Sequence, residues 1–141
     1  MRIVLDTNVL VAGFISPSGP PGAILRSILA GGVTVCFDER ILAEYRDVLT
    51  RSRFSFDGDR VAEVLDLIEA MGEPVLAEDL GIALPDAADA MFVEVATAAG
   101  ADCLVTGNRR HFPNEQLPGM RVLLPREFLD HVRDSRRRPS T

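Results

Sequence analysis

The sequence predicts a single α/β domain of three layers, in which a central, mostly parallel β-sheet is flanked by helices. Short apolar runs, of the kind that form strands buried on both faces, alternate along the chain with longer segments that carry apolar residues at helical spacing. Such alternation implies right-handed crossovers between parallel strands. The 141 residues contain no internal repeat and no interdomain linker, and this length suits one domain with its own core.

Residues that begin or end helices divide the first half of the chain. A loop rich in Pro, Ser and Gly at 16–22 separates the first two helices, and Gly31-Gly32 ends the second. Asp38 is suited to cap the third helix, and Asp59 opens the fourth. In chain order, we expect a strand at 3–5, a helix from about 9, a helix at 23–30, a strand at 33–37, a helix at 39–51 and a helix from 59 to the turn at 72–74.

The second half continues the same alternation. Gly100 closes a long helix, and Asn108 leads into a short helical turn that ends near Pro113. The polar, Arg-rich segment from Asp134 to Thr141 is expected to be a disordered tail, which leaves a domain of 1–133. In chain order, we expect a strand at 74–76, a helix at 85–99, a strand at 102–106, a strand at 120–124 and a helix at 125–132.

Composition is typical of a globular protein, with 47% hydrophobic and 26% charged residues. No apolar run approaches the roughly 18–20 residues of a membrane span, and the chain enters a strand at once. We therefore expect neither a membrane segment nor a secretory signal, and we expect a cytoplasmic protein. Cys36 and Cys103 lie inside apolar runs, which favours buried reduced thiols over a disulfide or a metal pair.

The net charge of −6 has the wrong sign for a simple nucleic-acid binder. If nucleic acid is the substrate, metal ions and local arginines must offset the repulsion. All 15 basic residues are Arg, and the absence of Lys excludes a P-loop lysine and a Schiff-base lysine. Arginine is also the residue type suited to bidentate phosphate contacts.

Polar residues recur at equivalent points of the predicted architecture. Asp6 ends the first strand, and Asn108 follows the strand that contains Cys103. Asp89 lies in the first turn of the helix at 85–99, and Glu44 lies about two turns into the helix after the second strand. Because the carboxyl ends of neighbouring parallel strands open onto one crevice, these side chains are expected to meet there.

Carboxylates brought close together repel one another and raise their own pKa values. A divalent cation relieves that repulsion, and Mg²⁺ and Mn²⁺ prefer oxygen ligands. Zinc is not indicated, because the chain has no Cys/His ligand set. A hard cation held by carboxylates suits phosphodiester hydrolysis, since it polarises a phosphoryl oxygen and stabilises the leaving oxygen.

Each of these residues also has a purely structural interpretation. Asp6 and Asp86 stand where a side chain caps a following helix. Asp89 at the start of a helix is favoured by the helix dipole. Glu44 alone is typical of a solvated charge, and Asn108 alone is typical of a turn or cap.

Further residues flank the predicted crevice. Arg109 and Arg110 are suited to gripping phosphates, although solvated arginines beside a helix are the alternative. For His111 we favour a role in packing or on the substrate side of the site. For Thr7 and Thr106 we favour supporting roles over direct ligation of a metal.

Taken together, the chain resembles the PIN domain, the metal-dependent nuclease fold of VapC-type toxins of toxin–antitoxin pairs. The resemblance runs from Met1 to about Phe128. Its motifs are Val4-Leu-Asp-Thr-Asn8, the Glu44 segment Leu42-Ala-Glu-Tyr45, Asp86-Ala-Ala-Asp-Ala-Met-Phe92 and Leu104-Val-Thr-Gly-Asn108. One such motif alone is weak, whereas this set in order and at the expected spacing is fairly specific.

The resemblance implies a metal site formed by Asp6, Glu44 and Asp89, with Asp86 as an adjunct. Members of the family often have an acid after Thr-Gly, where this chain has Asn108. An amide oxygen can still complete a metal shell, but it brings no negative charge. The continuation Asn-Arg-Arg-His-Phe-Pro113 resembles a subgroup of toxins that has Asn at this position.

The implied activity is that of a Mg²⁺- or Mn²⁺-dependent endoribonuclease, with Arg109, Arg110 or arginines on the helix at 39–51 positioning RNA. The implied partners are RNA, a cognate antitoxin and a second copy of the chain in a homodimer. An alternative is a PIN-like module that binds RNA or protein with weak or no cleavage, which Asn108 and the acidic charge favour. A phosphatase of the aspartyl-phosphate type is less favoured, because Asn8 replaces the expected second Asp and the chain has no Lys.

Overall fold

The computed structural model describes residues 1–137, and the strands in this part of the chain form one parallel sheet. The sheet order is β3-β2-β1-β4-β5, and every pairing is parallel. The predicted α/β class is confirmed, with a fully rather than mostly parallel sheet. The strands are β1 (Arg2–Leu5), β2 (Thr34–Phe37), β3 (Glu73–Pro74), β4 (Cys103–Val105) and β5 (Val122–Leu123).

Helices cover the sheet and complete the three layers. The helices are α1 (Thr7–Ile15), α2 (Pro20–Leu29), α3 (Glu39–Leu49), α4 (Gly58–Met71), α5 (Ala90–Ala99) and α6 (Pro125–Arg137). α5 packs on β1, β2 and β4, whereas α4 packs on β2 and α6 packs on β5 and α2. No helix between residues 1 and 137 combines the length and apolar character that crossing a membrane requires.

The three central strands are buried because helices lie against them. Cys36 in β2 and Cys103 in β4 are free, buried thiols, as the sequence predicts. The buried strand residues are Ile3, Val4, Leu5, Val35, Cys36, Phe37, Cys103, Leu104 and Val105. This continuous apolar composition is typical of parallel strands that are covered on both faces.

α2 and α4 begin earlier than the sequence predicts. α2 begins at Pro20 rather than at residue 23, because Pro at the first helical positions lacks an N–H that would have no helical partner there. α4 begins at Gly58 rather than at Asp59, and the Asp57 carboxylate caps it by accepting from the Asp59 N–H at 3.0 Å.

The last two helices also differ from their predicted bounds. The segment predicted as one helix at 85–99 is a 3₁₀ turn at Ala87–Asp89 followed by α5. α6 continues to Arg137 instead of ending at Val132, so residues 134–137 are helical rather than part of a disordered tail. Basic residues in its last turn favour this extension, because they interact well with the negative end of the helix dipole. The rest of the predicted tail, 138–141, lies outside the described residues.

The sheet changes winding direction at β1. β2 and β3 lie on one side of it, and β4 and β5 lie on the other. Leu5 is in register with Val105, and the Asp6 N–H donates to the Val105 carbonyl at 2.9 Å. The residues that follow β1 and β4 are therefore neighbours at the point where open α/β sheets form a binding crevice.

Candidate functional site

Asp6 lies at the carboxyl end of β1 with only 5% of its surface exposed. One of its carboxylate oxygens accepts a hydrogen bond from the buried Thr106 hydroxyl at 2.8 Å. The Thr106 oxygen also accepts from the Asn108 N–H at 3.1 Å, which fixes the turn after β4. Asp6 stands at the cap position of α1 without a side-chain capping bond of good geometry, although the Asn8 N–H opposes the rise in its pKa that burial causes; Thr106 is therefore its main partner.

Glu44 lies beside the residue that follows Asp6. The Thr7 hydroxyl donates a hydrogen bond to the Glu44 carboxylate. The next residue of α3, Tyr45, is fully buried and donates its hydroxyl to the Leu5 carbonyl at the end of β1. α3 is thus tied to the carboxyl end of β1, and Glu44 is a half-buried, bonded carboxylate rather than a solvated charge.

Asp89 ends the 3₁₀ turn that precedes α5 and is 8% exposed. Its Oδ2 atom is buried and has no hydrogen-bond partner among residues 1–137. The Nδ1 atom of His111 lies 3.5 Å from this oxygen, too far for a good hydrogen bond. Buried polar atoms of folded proteins nearly always have partners, so this oxygen is a candidate to bind a group from outside the chain.

The carboxylates affect one another electrostatically. Burial, followed by the charges of Asp6 and Asp86, raises the pKa of Asp89 to about 6. Burial also raises the pKa of Asp6, and the charge of Glu44 adds to that shift. His111 acts in the opposite direction on both groups. Asp6, Glu44, Asp86 and Asp89 are therefore close enough to act on one another electrostatically, and together they are called the carboxylate cluster.

Asp86 and Asn108 are exposed and act as caps of short 3₁₀ turns. The Asp86 Oδ1 atom accepts from the Ala88 N–H at 2.9 Å, and the Asn108 Oδ1 atom accepts from the Arg110 N–H at 3.0 Å. Each residue therefore has the capping role that its structural interpretation predicts. Asp86 keeps a second carboxylate oxygen for another partner, whereas Asn108 has only the remaining lone pair of its one oxygen.

The two predicted substrate arginines lie directly after Asn108, on the surface. Arg109 forms an exposed ion pair with Glu127, with 2.6 Å between the Nη2 and Oε2 atoms. Arg110 is also exposed and contributes its backbone N–H to the Asn108 cap. Both therefore flank the turn after β4, and a role in binding phosphate stays a prediction for each.

The donor set suits a hard cation, although it is not arranged as a ready metal site. Within residues 1–137, no three His, Cys, Asp or Glu side chains are arranged as a ready metal site. Asp6 and Glu44 each hold a threonine hydroxyl, and the Asp89 Oδ2 atom has no partner. The buried carboxylates of Asp6 and Asp89 have raised pKa values, and the Asp89 Oδ2 atom is unmatched within residues 1–137. These properties fit Mg²⁺ or Mn²⁺, which bind through oxygen and keep several waters.

Sequence reasoning missed Glu94 beside this cluster, and it did not single out Arg40 among the arginines of the helix at 39–51. Glu94, in the middle of α5, is 3% exposed and accepts from the Nη1 atom of Arg40 at 2.8 Å. Both residues, together with Glu44, line a cavity of about 640 Å³. The signal was a single carboxylate between Val93 and Val95 on an otherwise apolar helix, because an acid at such a position needs a buried partner.

Comparisons with known proteins agree with this architecture. The model of the PIN domain family matches residues 2–110. The fold is similar to that of a chain in the crystal structure of VapBC2 from Rickettsia felis bound to a DNA fragment from their promoter. That match has a TM-score of 0.59 and 18% identity, and it covers 88% of this chain and 98% of the other. At this identity the likeness shows the fold alone, and no curated protein matches the sequence.

Proposed function

The chain belongs to the PIN domain family, and we propose that it is a metal-dependent endoribonuclease that hydrolyses RNA phosphodiester bonds. The observation that carries the proposal is the buried, unpartnered Oδ2 atom of Asp89. It lies in a cluster with Asp6 and Glu44, whose charges help to raise the pKa of Asp89. An apolar core gains nothing from such a group, whereas a site that recruits a cation needs one.

In this proposal Asp6, Glu44 and Asp89 hold Mg²⁺ or Mn²⁺, and Asp86 is an adjunct ligand. When bound, the cation supplies charge that offsets the carboxylates and stabilises negative charge on a phosphoryl oxygen. Asn108, whose Oδ1 atom accepts from the Arg110 N–H, completes the site as a neutral neighbour.

The remaining residues orient the acids and the substrate. Thr106 fixes the rotamer of Asp6, and Thr7 holds Glu44 toward β1. Arg109 and Arg110 bind RNA phosphates beside the cluster, because both are exposed on the turn that follows β4. To bind a phosphate, Arg109 gives up its ion pair with Glu127.

We also infer that the protein is the toxin of a toxin–antitoxin pair. The similar VapBC2 structure supports a cognate antitoxin, and a homodimer is implied by the family resemblance alone. The inference is by analogy, since a fold does not by itself determine function. A small upstream reading frame that encodes a DNA-binding protein would support it, and an unrelated gene neighbourhood would contradict it.

A second candidate function is a PIN-like module that binds RNA or a protein without cutting. Two observations favour it: Asn108 stands where the family often has an acid, and no three acidic, His or Cys side chains of residues 1–137 form a ready metal site. Calorimetric titration with Mn²⁺ separates the two functions. Binding supports the nuclease, and no binding at millimolar Mn²⁺ supports the module.

The Asp6→Asn variant tests the nuclease directly. Asn keeps an oxygen that can accept from Thr106 but removes the charge, so we expect RNA cleavage in Mn²⁺ to fall by about a hundredfold or more. The matched control is Asp66→Asn, which makes the same change on the exposed face of α4 and should leave cleavage unchanged. Equal cleavage by wild type and the Asp6 variant would remove Asp6 from the site.

A further inference from the structure

A cavity of about 640 Å³ adjoins the carboxylate cluster and has no role in the chemistry proposed above. Glu44 belongs to both, since it lines the cavity and bonds to Thr7 beside Asp6. The other walls come from α3, from α5 and from the irregular segment between β3 and the 3₁₀ turn. Its volume is in the range of small-ligand pockets, so a substrate held at the carboxylates has room to place a neighbouring group there.

Arg40 lies one helical turn before Glu44 on α3, and its guanidinium is held in place. The Nε and Nη2 atoms both contact Asp38 Oδ2 at 2.8 Å, and the Nη1 atom donates to Glu94 Oε1 at 2.8 Å. A guanidinium has five N–H groups. One N–H on each terminal nitrogen is therefore left for a ligand, and 48% of the side chain is exposed.

Glu94 connects the walls of the cavity. One oxygen accepts from Arg40 on α3, and the other accepts from the Leu80 N–H at 3.0 Å on the irregular segment. The carboxylate is 3% exposed, so both of its oxygens depend on these partners. Arg40 and the irregular segment are thus set in fixed positions relative to α5 before any ligand arrives.

The charge of the cavity favours a neutral ligand that offers both donors and acceptors. Arg40 is the one cation among its lining residues, against the carboxylates of Glu44, Asp79 and Glu94. This balance repels a phosphate, whereas the apolar side chains of Ile82 and Met91 suit the face of a flat ring.

We propose that this cavity binds the nucleobase next to the scissile phosphate, that it prefers guanine, and that Arg40 determines the preference. Guanine offers O6 and N7 as acceptors to an arginine, the commonest base-specific contact of that side chain. It also offers ring and amino N–H groups, from which Asp79 can accept hydrogen bonds. Asp79 uses its Oδ1 atom for the Gly81 N–H, so its Oδ2 atom remains for the base. The inference rests on the proposed function, because it takes RNA as the ligand.

The first test measures binding without cleavage. Protein labelled with ¹³C at the methionine methyls is titrated with each of the four ribonucleosides, which are neutral and differ only in the base. We expect the Met91 methyl to shift, with a dissociation constant roughly fivefold or more lower for guanosine than for the others. The exposed Met71 methyl on α4 serves as the internal reference and should not shift.

Arg40→Gln should remove the guanine preference, and an unchanged Met71 signal shows that the variant is folded. The control Arg60→Gln removes an arginine of similar exposure on α4, paired with Glu63, and should keep the preference. A Met91 signal that does not shift with any of the four nucleosides, or that shifts equally with all of them, overturns the proposal.

RNA cleavage separates failure of this inference from failure of the nuclease. The substrates are oligoribonucleotides that differ only in the base beside the cleaved bond. Cleavage with no base preference overturns the pocket and leaves the nuclease standing. A guanine-selective Met91 shift with no cleavage of any substrate keeps the pocket and overturns the nuclease.

Discussion

The side chain of Asp89 combines three properties that are costly together in a folded protein. It is buried, it is ionisable, and its Oδ2 atom has no hydrogen-bond partner among residues 1–137. Removing a carboxylate from water without compensation destabilises the folded state. The metal-free protein is therefore expected to carry a stability deficit that depends on pH.

The Asp89→Asn variant tests that deficit. The pKa of Asp89 is about 6 in the folded state, above its usual 3.8, so the folded state binds this proton more tightly than the unfolded state does. The stabilisation by protonation is complete below about pH 4 and is lost as the pH rises through about 6. At neutral pH, with a chelator present to remove metal ions, we expect the variant to be about 2 kcal/mol more stable than wild type.

Urea denaturation at acidic and at neutral pH measures this difference. At acidic pH the Asp89 variant and wild type should have similar stability, because the wild-type carboxyl is then neutral as well. The control Asp66→Asn, at an exposed position, should stay within about 0.5 kcal/mol of wild type at both pH values. A difference that is the same at both pH values would show that ionisation of Asp89 is not its source.

Asn108→Asp addresses the departure from the family pattern. Asp can keep the capping bond to the Arg110 N–H, so we expect little change in stability. It adds a negative charge beside the cluster, so we expect tighter Mn²⁺ binding in a calorimetric titration. Asn114→Asp makes the same change at an exposed position in another 3₁₀ turn and should leave Mn²⁺ affinity unchanged. Unchanged affinity in the Asn108 variant would place Asn108 outside the metal site.

At the scale of elements, the start of α2 shows how a loop composition can hide a helix. The Pro-, Ser- and Gly-rich run predicts a loop to residue 22, yet α2 begins at Pro20. Gly22 lies against the preceding turn, where an added Cβ would come within 2.0 Å of the Pro17 carbonyl oxygen. The glycine thus serves close packing inside a helix rather than a flexible loop.

Gly22→Ala is therefore expected to destabilise the protein by about 1–3 kcal/mol, because the Cβ meets backbone that cannot easily move. The matched control is Gly58→Ala at the first position of α4, where an added Cβ has no atom within 4 Å. That change should stabilise by about 0.4–1 kcal/mol, since alanine reduces the freedom of the unfolded chain. Urea unfolding of both variants measures the contrast, and equal effects would contradict the close approach at Gly22.

At the scale of the whole molecule, sheet topology gathers the candidate site. Asp6 and Thr106 are far apart in sequence, but β1 and β4 are neighbours, and the two side chains bond at 2.8 Å. Glu44 joins them because Tyr45 anchors α3 to the end of β1. The net charge of −6 opposes RNA binding over the surface as a whole, so the proposed activity depends on cations and arginines placed at this crevice.

Much of this architecture follows from local sequence. The α/β class is predicted by the apolar strand runs, the cap at Asp38 and the order of strands and helices. Because Asp6 follows a buried strand, the sequence also predicts that Asp6 lies at the carboxyl edge of the sheet. The bounds of α2 and α6 were predicted less well. The composition of 16–22 favours a loop, but Pro at the first helical positions also suits the start of α2. The polar composition at the C-terminal end favours a tail, but basic residues in the last turn stabilise α6.

The sequence by itself determined the fold class, the buried free thiols and the set of carboxylates at one end of the sheet. Only the tertiary structure decided which oxygens have partners: Asp6 bonds to Thr106, Asn108 caps a turn, and the Asp89 Oδ2 atom has none among residues 1–137. It also revealed the contact between Arg40 and Glu94. The physical reason is that periodicity and turn chemistry act over a few residues, whereas a hydrogen bond between distant residues depends on packing that fixes both side chains.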